Sequence, residues 1–280
     1  MMSNQVTVER LNNKQFEFLC QFIYDETGIV LTPTKVEMVH RRLSKLTKAK
    51  NFSSLEDYYQ HFVTHQEEEK KDLVNALTTN LTRFFRENHH FDYLKDHFLP
   101  YLFERNSDTK RIRIWSSACS TGEEPYSLAM LLVQHFRTYI DSWDVKILAT
   151  DIDTEVLNTA KEGIYSKLAM DDIPLEMRSK SVNLCGASQI EIKPNVRDLI
   201  TFKNLNLLHE WPMKGPFDVI FCRNVIIYFD KATQQALFHR FHNYLSDGSI
   251  LVLGHSESLG KSAGLYKNQG KTIFSKSKAD

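Results

Sequence analysis

The chain has 280 residues, 42% of them hydrophobic and 25% charged, which is enough apolar material for one large or two modest cores. Lys+Arg and Asp+Glu both total 35, so a bulk nucleic-acid binder is disfavoured and only local basic patches remain to be weighed. Cys20, Cys119, Cys185 and Cys222 form no CxxC pair, the polar residues 1–12 lack a signal-peptide core, and no apolar run is long enough to span a membrane. No metal site, no membrane embedding and reduced thiols in the cytoplasm are therefore expected.

In chain order, the first elements are helical. Phe16, Leu19, Phe22 and Ile23 recur at helical spacing between Asn13 and Thr27, and Gly28 is placed to end that helix. Val36 to Lys50 forms a second predicted helix with Val39, Leu43 and Leu46 on its apolar side. Ser54 to Thr64 forms a third, capped by Ser53 or Ser54, and Glu67 to Leu77 a fourth. A connecting helix is predicted over 89–105, with Pro100 as a kink or a break.

From Lys110 the rhythm changes to strand–helix alternation. Strands are predicted at Arg111–Ser116, Val145–Thr150, near Leu199, at Phe217–Cys222 and at Ser249–Gly254. Helices are predicted at Glu123–Tyr139, Thr154–Glu162 and Lys231–Leu245. Such repetition implies a mostly parallel sheet covered on both faces. More than thirty residues between Gly163 and Leu199 break the alternation and suggest either a small inserted β-excursion or a surface loop. A hairpin is predicted at the C-terminus, turning at Asn268–Gly270. The expected division is a helical domain over 1–88, a linker helix over 89–110 and an α/β domain over 111–280, with the insertion at about 164–198.

Ligands of open parallel sheets bind beyond the carboxyl ends of the strands. The turn Ser116–Glu124 joins a strand to a helix with small residues that admit a ligand to the backbone, but with one glycine it is not a GxGxxG fingerprint. Its acids Glu123 and Glu124 would repel a pyrophosphate and attract an ammonium or sulfonium; alternatively they only favour the helix dipole. Asp151 stands where a ribose diol is usually held, and Asp153 suits a helix cap. Asn206 with Leu207 fits an adenine edge and face. Arg223, Asn224 and Tyr228 follow the apolar strand Phe217–Cys222. The donor-rich segment Thr78–Arg86 is either a ligand loop or a helix terminus.

Together these segments resemble the chemotaxis receptor methyltransferases, the CheR family. The resemblance is carried by TTNLTRFFR at 78–86, STGEEPYS at 120–127, ATDID at 149–153, NLNLL at 204–208, FDVIFCRNVIIYFD at 217–230 and GHSES at 254–258. It implies a class I S-adenosylmethionine-dependent methyltransferase sheet, Rossmann-like, with a small inserted β-subdomain and an all-α N-terminal domain. It also implies methyl transfer from S-adenosylmethionine to glutamates on the cytoplasmic helical bundle of chemoreceptors, leaving S-adenosylhomocysteine. By motif position, Asn80, Thr82, Arg86, Glu124, Asp151, Asn206, Leu207, Arg223 and Asn224 are expected to contact the cofactor, and Arg86 and Tyr228 to orient the reacting groups. Some members carry a glycine-containing loop that grips a pentapeptide at the receptor tail. The stretch Leu184–Ile192 looks too short for it, so tail docking is not expected.

The chemistry is consistent with this residue set. A glutamate is already ionised at pH 7, with a reference pKa of about 4.3, and needs no general base. Transfer from a sulfonium to a carboxylate cancels charge, so alignment and removal of water supply most of the gain, roughly 7–11 kcal/mol for well-oriented reactants. Arg41, Arg42 and Lys45 on the second helix could steer an acidic receptor bundle toward a monomeric enzyme, or could simply be a solvated face. Two rivals remain. One is a nucleic-acid or small-molecule methyltransferase, against which stands Arg223-Asn-Val-Ile in place of an Asn/Asp-Pro-Pro-Tyr motif. The other is a non-catalytic module that binds S-adenosylmethionine or its product for signalling.

Overall fold

The structure is a computed structural model and describes residues 10–277. The chain forms two compact units: residues 10–79 with Tyr228–Asp230, and the rest from Asn80 onward.

The first unit contains α1 (Asn13–Thr27), α2 (Val36–Ala49), α3 (Leu55–Thr64) and α4 (Gln66–Leu77). Asn12 and Gln15 form a reciprocal capping box at the start of α1, and Gly28 closes it at φ 70, a conformation that costs a residue with a Cβ. Ser54, not Ser53, caps α3 by accepting from the Asp57 N–H. The apolar stripes meet in a core of Leu19, Ile23, Val39, Leu43, Tyr58, Phe62, Leu73 and Leu77. Each fully buried Leu or Ile contributes about 1.5–3 kcal/mol relative to exposure. The end of α4 exposes orphan carbonyls. Arg42 satisfies them, donating to the Leu77 carbonyl at 2.9 Å and to the Thr78 carbonyl, and it reaches the Thr79 hydroxyl at 3.2 Å. The segment Tyr228–Asp230 joins this unit through the Val30 N–H, which donates to the Tyr228 carbonyl at 2.9 Å, and the Tyr24 hydroxyl, which donates to Asp230 at 2.8 Å.

The second unit opens with one continuous helical rod: α5 (His89–Tyr93), a π-helical turn (Leu94–Phe98) and α6 (Leu99–Arg105). Pro100 neither breaks nor ends it. The Leu99 N–H bonds five residues back to the Leu94 carbonyl, and the widened turn accommodates a residue that lacks an N–H. There follow β1 (Arg111–Ser116), α7 (Glu123–His135), α8 (Arg137–Ile140), β2 (Asp144–Asp151), α9 (Thr154–Glu162), β3 (Ile164–Ser166), α10 (Leu175–Ser181), β4 (Val182–Cys185), β5 (Gln189–Ile192), α11 (Pro194–Arg197), β6 (Ile200–Asn204), β7 (Phe217–Cys222), α12 (Lys231–Tyr244), β8 (Leu245–Leu253), β9 (Tyr266–Gly270) and β10 (Ile273–Lys276).

Seven strands make one sheet in the order β6-β2-β1-β7-β8-β10-β9. The first five are parallel, and β10 and β9 add an antiparallel edge. Every residue of β7 is buried, as a central strand covered on both faces requires. On one face Ile112, Ile114, Val219 and Phe221 pack with Leu128 and Leu131 of α7. On the other, Trp115 packs edge-on against Trp211 and Phe241 at centroid distances of 4.7 and 5.5 Å. The insertion is a second sheet, β3-β5-β4, with α10 between its strands, so it is more than a β-excursion. The C-terminal turn lies at Lys271 and Thr272, both at positive φ (51 and 59), rather than at Asn268–Gly270. Among the described residues no helix is long and apolar enough to cross a membrane.

Candidate active site

Register places the functional strand ends side by side. Ser116 of β1 pairs with Ala149 of β2 and with Phe221 of β7, so the turns after Ser116, Asp151 and Cys222 emerge at one edge of the sheet. The chain runs outward from β1 through β2 to β6, then returns to β7 on the other side. The gap between β1 and β7 is thus the switch point where such sheets bind ligands.

The turn from β1 to α7 is built for close approach. Gly122 has φ 98, and a Cβ there would lie 2.8 Å from the Ala160 Cβ. Asp151 ends β2 buried, with one carboxylate oxygen accepting from the Ser120 N–H at 2.8 Å and the other from the Asp153 N–H at 3.0 Å. A carboxylate offers about four acceptor positions, so these two bonds do not exhaust it. Burial raises the Asp151 pKa from 3.8 to about 6, against the pull of those two N–H groups and of the Ile152 N–H. Asp153 caps α9 by accepting from the Glu155 and Val156 N–H groups, and it also accepts from the Asn80 carboxamide at 2.7 Å.

Glu124 lies between strand ends with its side chain 11% exposed. One oxygen accepts from the Ser116 hydroxyl at 2.7 Å and the other from Arg223 at 3.0 Å. Burial raises its pKa, with Arg223 and Ser116 opposing. Glu123 turns instead to the Thr121 hydroxyl at 2.6 Å. The buried Cys119 thiol is pushed up by burial and by the fields of Asp151, Glu124 and Glu123, which shows three carboxylates gathered around this one turn.

The loop after Asn80 wraps this edge. The Asn80 carbonyl accepts from the Ser120 hydroxyl at 3.0 Å, Thr82 is half-buried, and Arg86 folds back to donate to the Leu81 carbonyl at 2.7 Å. Phe84 and Phe85 anchor the loop in the core, and the Phe85 N–H donates to the Ser127 hydroxyl at 2.9 Å. Arg223, its side chain only 2% exposed, donates to the Arg86 carbonyl at 2.5 Å and lies 3.5 Å from Glu87. Asn224 donates to Glu87 at 3.3 Å through its side chain and to Glu257 at 2.9 Å through its backbone. Asn206 spends its carboxamide oxygen on the Leu208 N–H at 2.9 Å, and the buried Leu207 follows it; their segment is tied to β2 by the Leu205 N–H, which donates to the Asp151 carbonyl.

Two carboxylates that sequence reasoning did not single out organise this edge. Glu257 accepts from the backbone N–H groups of Gly254, Asn224, Val225 and Ile227, at 2.7 to 3.4 Å, and so fixes the turn after β7. Gly254 must lack a Cβ, which would fall 2.5 Å from the Asn224 carboxamide nitrogen. Glu87 receives Arg223, Asn224 and both the backbone N–H and the ring of His255. Burial alone would raise its pKa, but His255, Arg223 and Asn224 bring it down to about 2. Only their positions, Glu87 directly after FFR and Glu257 inside GHSES, signalled them. Phe85, Glu87, Ser120 and Asn224 all hold positive φ (50, 58, 50 and 58), backbone strain of the kind that collects at functional sites.

The structure therefore joins Asn80, Arg86, Glu124, Asp151, Arg223 and Asn224 through one hydrogen-bonded edge. Tyr228 and the basic residues Arg41, Arg42 and Lys45 belong to the first unit. There the Lys35 ammonium lies 5.1 Å from the centroid of the Tyr228 ring, and Arg41 and Lys45 are exposed while Arg42 caps α4.

Carboxylates at the β1 and β2 strand ends, with Arg223 the one buried guanidinium among the described residues, suit a cationic ligand and disfavour a pyrophosphate. Fold and site define an S-adenosylmethionine-dependent methyltransferase. Residues 80–274 match the CheR methyltransferase SAM-binding domain, and residues 14–78 match the CheR methyltransferase all-alpha domain. A probable chemotaxis protein methyltransferase of Rhizobium etli is 41% identical over 257 residues, covering 90% of this chain and 96% of its own. The chemotaxis protein methyltransferase of Escherichia coli is 37% identical over 273 residues, covering 96% and 92%. The chain belongs to the CheR methyltransferase family.

Proposed function

We propose that this chain methylates glutamate side chains on the cytoplasmic helical bundle of chemoreceptors, producing methyl esters. The carrying observation is the set of carboxylates at the β1–β7 switch point, the buried Asp151 and the largely enclosed Glu124 above all. When bound, S-adenosylmethionine supplies a methyl group on a positively charged sulfur. Asp151 has acceptor positions left for the ribose hydroxyls, and Glu124 faces the amino-acid end. Asn206 and Leu207 border the adenine. Asn80, Thr82 and Asn224 complete the wall, and Arg223 holds Glu124 and the Arg86 backbone in place. Arg86 keeps most of its donor fork beyond the Leu81 carbonyl and is the residue of this unit that orients the attacking carboxylate. That carboxylate is ionised at pH 7, so no side chain is required as a base.

The direct test is incubation with methyl-labelled S-adenosylmethionine and receptor cytoplasmic fragments. Label released by mild alkali supports a carboxyl ester; alkali-stable label points to nitrogen methylation, and no transfer to any fragment leaves a binding module. The Gly186-Ala-Ser connection between β4 and β5 is only three residues long. Fragments with and without the tail are accordingly expected to be labelled alike, and tight binding of a free tail peptide would contradict this. A light-scattering mass of one chain is expected for a cytoplasmic monomer.

Two variants follow from this reading. Tyr228→Phe removes one hydroxyl and is expected to lower kcat by about ten-fold or more while leaving cofactor affinity intact; an unchanged rate removes Tyr228 from the reaction. Reversing exposed charges with Arg41→Glu and Lys45→Glu should slow receptor methylation, most at low ionic strength, because steering is screened by salt. Arg42 is left unchanged in that experiment because it caps α4. Equal rates across salt concentrations would remove the basic face from recognition.

A further inference from the structure

His90 is fully buried at the start of the helical rod. Its Nε2 lies 2.8 Å from the carbonyl oxygen of Lys271, which can only accept, so Nε2 carries the proton and Nδ1 presents a bare lone pair. That Nδ1 is buried with no hydrogen-bonding partner on the protein, and 3.7 Å away is a Glu87 oxygen, also an acceptor. Two lone pairs thus face each other across a gap that only a third species can fill.

His89 stands beside them. Its ring centroid is 4.1 Å from that of His90, and ligand atoms of Glu87, His89 and His90 all lie within 4.8 Å of one another. Tetrahedral ions bound at about 2.0–2.1 Å space their ligand atoms roughly 3.3 Å apart, so rotation of the half-exposed His89 closes the set. The Lys271 carbonyl on the far side of His90 is the outer partner that metal-bound histidines typically keep, and it fixes the required tautomer.

We propose that Glu87, His89 and His90 form a binding site for one transition-metal ion of the zinc class, with His90 Nδ1 as the buried ligand. Two imidazoles and one carboxylate suit Zn²⁺ better than Mg²⁺ or Ca²⁺, which prefer all-oxygen sites. The competing cation is Arg223, but its contact with Glu87 is long, 3.5 Å, and its shorter bond goes to Glu124 at 3.0 Å. No cysteine takes part, so thiol spacing in the sequence carried no trace of the site.

The test uses the untagged full chain, stripped with a chelator and titrated with Co²⁺ as a spectroscopic probe and with Zn²⁺ by calorimetry. The expected result is one ion per chain, visible d–d absorption from an imidazole-bound cobalt, and its displacement by Zn²⁺. His89→Ala should weaken binding by about ten-fold or more. His90→Gln, which keeps a donor for the Lys271 carbonyl, should do the same, with circular dichroism confirming the fold. His97→Ala, an exposed histidine in the π turn, should leave affinity unchanged. No d–d absorption with no stoichiometric Zn²⁺ uptake overturns the proposal and leaves a water between the two acceptors. Binding that survives both His89→Ala and His90→Gln overturns it equally.

Discussion

Asp151→Ala is expected to weaken S-adenosylmethionine binding by about a hundred-fold in calorimetry, with little change in the fold. Hydrogen bonds to a charged group are each worth about 1.5–3 kcal/mol, and the proposed diol contact uses two of them. Even the low end of that range, about 3 kcal/mol together, corresponds to roughly two decades in affinity. Asparagine should not rescue the loss. Both oxygens of Asp151 already accept a backbone N–H, from Ser120 and from Asp153, so a carboxamide sets one of its own donors against a donor. The pH dependence follows from the same burial. In the free chain the Asp151 pKa is raised from 3.8 to about 6, so the carboxyl is protonated below that pH and ionised above it. Ligand hydroxyls favour the ionised form. Affinity should therefore be flat above about pH 7 and fall up to ten-fold per unit below about 6, where binding must expel a proton. Asp151→Ala should lack that slope; a wild-type affinity that ignores pH between 5 and 7 would remove Asp151 from the contact.

Much of this architecture can be read from residue order, and the reasons differ between parts. Helices α1 to α4 are legible because apolar residues recur at helical spacing and because Asn12, Gly28 and Ser54 are chemically suited to their caps. β7 is legible as an apolar run interrupted only by Asp218, yet such a run says nothing about its neighbours, and the order β1-β7-β8 emerges only from the pairing. Asp151 could be placed by its distance along the chain from the β1 turn. Arg42 could not be told from Arg41 by spacing, since what separates them is the position of the α4 carbonyls in space. The hairpin turn was displaced because Asn268–Gly270 has the favoured turn chemistry, whereas the pairing of Ile273 with Gly270 forces Lys271 and Thr272 into the left-handed region. Glu87 and Glu257 escaped because acids are usually on the surface. The burial of Glu257 and the partial burial of Glu87 are made tolerable chiefly by the Asn224 and Val225 N–H groups and by Arg223, which lie far from them in sequence.

The second large effect concerns that buried charge cluster. Arg223→Met should destabilise the second unit by about 3–5 kcal/mol, because it leaves Glu124 and Glu87 without their shared guanidinium while keeping an apolar stem of similar length. All three tryptophans, Trp115, Trp143 and Trp211, lie in that unit, so their fluorescence in a urea titration reports its unfolding separately from the helical one. The deficit should depend on pH in a defined direction. Burial already raises the Glu124 pKa above its ordinary value, and loss of Arg223 raises it further. A carboxyl with a raised folded pKa contributes stability below its unfolded value and loses it as pH rises. The variant should therefore approach wild type in acid and fall furthest behind at alkaline pH. Combining Arg223→Met with Glu124→Gln removes both members of the pair and should recover a large part of the loss, a coupling that independent surface charges do not show. Cofactor binding should not recover with it, since the double variant restores the fold but has no charge to face the cationic ligand. Additive losses in the double variant would mean that Arg223 stabilises the edge through Glu87 and the Arg86 carbonyl, and Glu124 would then have no claim to be the acid that this guanidinium holds in position.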